Sequence, residues 1–154
     1  MKNVLVMDAG GIRGYMTLHM IAYIEKHSGY RCCEMFDLIA GTSFGGLAAS
    51  LLASGYSANQ IINAIDEHGP KIFDKKFYRN GVLFSKYGDK YLNKVLQEYF
   101  CESRVHSTVC NILVPVYNTT DKKIELIKNY NSRRNWMIRD AVGLRLLRRP
   151  TLIT

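Results

Sequence analysis

The pentapeptide Gly41-Thr42-Ser43-Phe44-Gly45, inside "DLIAGTSFGG", places a serine between two glycines. That spacing suits nucleophilic catalysis. A serine on a tight, strained turn projects its hydroxyl, and flanking glycines keep strand and helix from colliding there. The hydroxyl then lies at a helix N-terminus, where the dipole and free N–H groups favour a developing oxyanion. A second turn, "DAGGIRG" from Asp8 to Gly14, leaves the N–H groups around Gly10, Gly11 and Gly14 unobstructed and adds the cation of Arg13. Such a loop cradles a phosphate or an oxyanion. It does not fit a dinucleotide fingerprint. The G-x-G-x-x-G frame would begin at Ala9, and no acidic ribose partner follows a second strand.

Each turn needs a strand before it and a helix after it. "NVLVM" at 3–7 is an apolar run ended by Asp8, as a buried strand would be. Met16, Met20 and Ile24 recur every four residues with Ile21 beside them, which predicts a helix closing near Ser28-Gly29. "MFDLIAG" predicts the second strand, and "FGGLAASLLASG" a helix of small residues. Ser57 and Gln60 form a capping box for a further helix that Gly69-Pro70 should stop. Leu92, Val95, Leu96 and Tyr99 mark another amphipathic helix. "VCNILVPVY" is a central strand whose Pro115 places its end near the sheet margin. "NTTDKK" is a turn, "IELIKNY" a strand, and "NWMIRDAV" opens a helix. This alternation predicts a three-layer α/β fold with a mainly parallel sheet.

Composition bounds the rest. The chain has 154 residues, 47% hydrophobic and 22% charged, enough for one globular domain. Asp8 breaks the first apolar run before a signal peptide could form. The weakly polar stretch from Leu38 to Tyr56 carries four glycines and several hydroxyls, a poor membrane span. A cytoplasmic or peripherally membrane-associated protein is therefore expected. Cys32, Cys33, Cys101 and Cys110 follow neither a zinc spacing nor a disulfide framework, so they read as buried free thiols. No metal or cofactor is implied. The net charge of +8 reads first as a solvated basic face, since RNA-binding and zinc-finger signatures are missing. Nucleic acid is not expected as a partner.

The two turns, in this order, resemble the patatin-like phospholipases, whose D-G-G-G-x-R-G loop is followed by a G-T-S-x-G-G elbow. "EHGPKIF" and "NILVPVYNTTDKKIEL" extend the resemblance, which runs from about residue 4 to residue 142. It implies a patatin-like fold and a serine lipid acyl hydrolase, of phospholipase A or lysophospholipase type, acting on membrane glycerolipids. Ser43 would be the nucleophile. The oxyanion hole would be formed by N–H groups at Gly10, Gly11 and Phe44, with Arg13 and Gly14 in the same loop. Asp8 would be structural, and Ala9 departs from the family's glycine.

The family's base is the aspartate of a downstream D-G-G or D-G-A motif. Asp66, Asp74, Asp89, Asp121 and Asp140 follow Ser43, and none has that context. His68 and His106 lack an acid at telling spacing for a triad. The expectation is a domain over residues 1–142 that stops before its dyad acid, with an incomplete C-terminal part. Residues 143–154, "GLRLLRRPTLIT", are basic and leucine-rich where relatives continue A-T-S-A-A-P. One codon set for Arg145 to Thr151, read from its third base, encodes Ala-Thr-Ser-Ala-Ala-Pro-Asn, as a frameshifted tail would. The alternatives are an inactive fragment without its base and a non-enzymatic module that binds lipid or anion at Gly10–Gly14.

Overall fold

A computed structural model describes residues 2–72, 94–95, 97–99, 103–118 and 121–138. Strand β1 (Val4–Met7) leads through a 3-10 turn to helix α1 (Gly14–Ser28) and the short α2 (Cys32–Met35). Strand β2 (Leu38–Gly41) is followed by α3 (Phe44–Ala53) and α4 (Ala58–Ile72). A 3-10 turn at Val105–Ser107 precedes strands β3 (Asn111–Asn118) and β4 (Lys123–Lys128). The sheet order is β1-β2-β3-β4. The first three strands are parallel, with Val4 opposite Leu38 and Leu38 opposite Asn111, and β4 returns antiparallel to β3. This is the α/β architecture with a mostly parallel sheet that the alternation predicts.

The core lies between the sheet and α3. Met7, Ile39, Ile112, Val114, Val116 and Ile127 point to one side and are buried against α3 and the helices beyond it. Helix α3 is apolar all round and buried along nearly its whole length, as a helix laid across a sheet must be. Its small residues permit the close approach. Buried Ser50 turns its hydroxyl back to the Gly46 carbonyl at 2.8 Å, so no polar atom is stranded there.

The capping box forms as spaced. Ser57 Oγ accepts from the Gln60 N–H at 3.3 Å, and Gln60 Oε1 accepts from the Ser57 N–H at 2.8 Å. Ser57→Ala is expected to cost about 1 kcal/mol, read as a lower midpoint in urea with unchanged slope.

Two local expectations are corrected. Helix α4 runs through Gly69-Pro70 to Ile72. Proline forfeits one hydrogen bond inside a helix, and here the preceding turns, packed on α1 through buried Ile61 and Ile62, carry the helix past it. Helix α1 forms where the spacing predicts it, and its buried stripe is Leu18, Ile21 and Ala22, whereas Met16, Met20 and Ile24 are exposed. The helix has two apolar faces, and packing on α4 selects the one that carries Leu18. Strand β1 is not buried on both sides, because Val4 and Val6 face solvent at the end of the strand order.

Pro115 sits where β3 has outrun β2. Pairing with β2 ends at Leu113 opposite Ala40, and from Val114 to Asn118 β3 pairs with β4 alone. A missing N–H costs nothing on an unpaired edge. Lys94-Val95 and Gln97 to Tyr99 are helical, within the amphipathic stretch read from Leu92 to Tyr99. The rest of that stretch, most of the basic run from Lys71 to Lys94, Cys101, and residues 139–154 with the whole tail lie outside the described residues.

Candidate active site

Ser43 follows β2 and precedes α3 with φ 56° and ψ −125°, a backbone conformation that side chains rarely permit. Its carbonyl accepts from the Gly46 and Leu47 N–H groups at 2.9 and 3.1 Å, which locks the turn as the first turn of the helix. Close packing explains both flanking glycines. A Cβ on Gly41 would overlap the Gly45 carbonyl and lie 2.9 Å from the Gly46 nitrogen. One on Gly45 would strike the Met7 carbonyl and lie 2.9 Å from the Asp8 oxygen.

Those contacts also bring the two turns together. The Thr42 N–H donates to the Met7 carbonyl at 3.1 Å, tying the end of β2 to the end of β1. The buried Phe44 ring lies on Gly14, where a Cβ would come within 2.7 Å of Cε1. So Gly41, Thr42, Ser43, Phe44 and Gly45 meet the loop of Gly10, Gly11, Arg13 and Gly14 at the carboxyl ends of adjacent parallel strands. Ligands of open α/β sheets bind at this end of the strands. Gly11 has φ 54°, and the Arg13 N–H closes the loop on the Gly10 carbonyl at 3.1 Å. The N–H groups of Gly10 and Gly11 donate to no described residue, and Arg13 is exposed without an ion pair among them.

No described side chain hydrogen-bonds to Ser43 Oγ. Of the candidate bases within the described residues, both carboxylates are engaged elsewhere. Asp66 accepts from the Tyr15 hydroxyl at 2.6 Å, a bond that raises the tyrosine's pKa. Asp121 pairs with Lys123 at 3.4 Å near the β3–β4 turn. His68 is buried in α4 with its ring 6.2 Å from that of Tyr99, and His106 is exposed beside Asn135. Asp74, Asp89 and Asp140 lie outside the described residues.

Sequence reasoning missed Glu25. Its Oε1 accepts from the Cys32 N–H at 3.0 Å and its Oε2 from the Ala58 N–H at 2.8 Å, so one carboxylate caps both α2 and α4. The partners lie 7 and 33 residues away, so no local spacing announces them.

Cys32, Cys33 and Cys110 are free thiols, the first fully buried. Burial, with Glu25 nearby, pushes Cys32 up to about 12 from 9.0, and burial pushes Cys110 to about 11. A thiol raised in the fold ionises first in the unfolded chain, so stability holds below pH 9 and falls as pH rises toward 12. The urea midpoint should therefore drop between pH 9 and pH 11, less so in a Cys32→Ser protein. Among the described residues no His, Cys, Asp and Glu cluster could hold a metal ion, and no helix is long and apolar enough to cross a membrane.

Fold and turns define an α/β protein in which two strand–turn–helix units bring their glycine-rich turns together. The chain belongs to the patatin-like phospholipase family, whose profile matches residues 5–142. It is 32% identical over 137 residues to Patatin-16 of Solanum tuberosum, covering 80% of this chain and 35% of that protein. It is 30% identical over 152 residues to Patatin-like protein 1 of Arabidopsis thaliana, covering 83% and 36%. Patatin-like protein 2 of Oryza sativa subsp. indica is 30% identical over 170 residues, covering 91% and 41%. The chain thus spans little more than a third of the length of these relatives. At the family level the chemistry is lipid acyl hydrolysis.

Proposed function

We propose that this chain carries the nucleophile and oxyanion loop of a serine lipid acyl hydrolase of phospholipase A or lysophospholipase type. The observation that supports this most directly is the strained backbone of Ser43 at the N-terminus of α3, packed against the Gly10–Gly14 loop. Ser43 Oγ attacks the acyl carbonyl carbon of a glycerolipid and gives its proton to a base. N–H groups at Gly10, Gly11 and Phe44 hold the tetrahedral oxyanion, with the N-terminus of α3 behind them. Collapse expels the lipid alcohol, and water then frees the fatty acid from the serine. Arg13, exposed beside the loop, offers its charge to a headgroup phosphate. Contact with a membrane surface would be peripheral, through basic side chains.

The test is hydrolysis of a fluorogenic phospholipid by this chain and by Ser43→Ala. A rate that the substitution lowers at least a thousandfold is the expected result. Equal rates in the two proteins would rule out serine catalysis by this chain. That no described side chain bonds the Ser43 hydroxyl favours a second reading, in which the site is built but idle for want of a base. Under that reading both proteins stay at background while Gly10 and Gly11 still bind an anionic lipid headgroup.

A further inference from the structure

Helix α1 starts at Gly14, the last residue of the Gly10–Gly14 loop, so whatever fixes its first turn also fixes the loop. Helices α1 and α4 pack against each other, and two long-range hydrogen bonds clasp them. At one end Glu25 of α1 accepts from the Ala58 N–H at the start of α4, at 2.8 Å. At the other end the Tyr15 hydroxyl donates to Asp66 Oδ1 of α4 at 2.6 Å. The pairing of early with late positions makes the two helices antiparallel. The Glu25 clasp lies at the end of α1 away from the loop. The Tyr15 clasp lies one residue from Gly14.

Tyr15 has the surroundings of a fixed anchor. It is half-buried against the core, with the His19 ring edge-on to it at 4.7 Å. Gly14, beside it, lies under the Phe44 ring with no room for a methyl. Its hydroxyl bonds a carboxylate, and such charge-assisted bonds are short and about twice as strong as neutral ones. That bond, burial and the carboxylate's charge hold Tyr15 protonated beyond the usual tyrosine range, so it stays a donor. The loop has little of its own to hold it. The Arg13 N–H closes it on the Gly10 carbonyl, and Gly11 takes a positive φ. Donors aimed at a developing charge work best when held in place before the charge forms.

We propose that Tyr15 and Asp66 are a positioning pair that sets the Gly10 and Gly11 N–H groups toward an oxyanion. The proposal rests on the oxyanion reading of the loop given above. Neither side chain is a catalytic residue. Asp66 holds Tyr15, Tyr15 fixes the first turn of α1, and that turn carries the loop. The sign of the effect separates positioning from plain electrostatics. Removing a carboxylate near an anion site tightens the anion by charge alone. Removing a positioning carboxylate loosens it.

Inorganic phosphate is titrated into the full 154-residue chain and followed by the amide shifts of Gly10 and Gly11. Tyr15→Phe keeps the ring and its packing, while Asp66→Ala removes the acceptor. Each should weaken phosphate binding by roughly threefold or more. The double variant should weaken it no further, because both changes break the same bond. Asp66→Asn keeps an acceptor oxygen without the charge and should bind within about twofold of the unaltered chain. Ser57→Ala, which loosens the opposite end of α4, should leave phosphate binding unchanged. Binding as tight or tighter in Tyr15→Phe and Asp66→Ala would overturn the proposal. So would an equal loss in Ser57→Ala, since general loosening would then suffice. If phosphate shifts neither amide of the unaltered chain, the oxyanion reading falls and the proposal with it. Equal hydrolysis by the chain and by Ser43→Ala, with the phosphate pattern intact, sinks serine catalysis and leaves the positioning pair standing.

Discussion

Gly41→Ala is expected to remove most of the protein's stability, by about 4 kcal/mol, and Gly45→Ala to act similarly. The reason is what the added methyl meets. At Gly41 it would overlap the carbonyl of Gly45, and at Gly45 that of Met7. A side chain can swing aside from an intruding methyl, but these obstacles are backbone atoms of the first α3 turn and of β1. Relief demands that helix and sheet part, and buried Leu51, Leu52 and Ala49 would lose their packing as they do. The total stability of an ordinary domain is about 5–15 kcal/mol, so either substitution approaches the limit of folding. Urea titration followed by far-ultraviolet circular dichroism measures it. A shift smaller than about 1 kcal/mol at both positions would mean the turn is looser than described. Gly14→Ala should be milder, because its obstacle is the Phe44 ring, and Phe44→Leu should suppress it.

Glu25→Ala should cost about 3 kcal/mol, the second largest effect expected. Its carboxylate accepts one N–H at the start of α2 and another at the start of α4. Hydrogen bonds to charged groups contribute about 1.5–3 kcal/mol each, and a negative charge also suits two helix N-termini. Loss of the side chain leaves both amides half-buried and unpaired. Glu25→Gln retains one acceptor oxygen and should lose about half as much, measured by the same titration. Equal losses for alanine and glutamine would show that charge, and not two-way capping, is what matters.

Sequence reasoning succeeds here where the cause is local. The strand–turn–helix units, the Ser57–Gln60 box and the Ser43 turn are each set by residues a few positions apart. Their mutual approach is not. Phe44 reaches Gly14 across thirty intervening positions, roughly, and nothing in either pentapeptide states that the turns touch. Which face of α1 is buried is likewise not set locally. A helix with two apolar stripes satisfies the period twice, and only its packing against α4 decides that Leu18 and Ile21 go inward. For α4, the local rule that Gly-Pro ends a helix met tertiary packing and lost. The candidate bases are legible as residues, yet only the fold brings Asp66 to Tyr15 and Asp121 to Lys123.

The overhang of β3 beyond β2 has a consequence for approach. Past Leu113 the hairpin rises for five more residues of β3, about 17 Å at ordinary strand rise. Near its base Val114 already abuts Gly46, at the foot of α3. The hairpin is therefore a parapet along one flank of the serine, and among the described residues the β1 flank has no counterpart. Within that described part, an elongated molecule lying across the site meets a wall on the β3 side and none over β1, so its long axis is set before any contact with the hydroxyl is made.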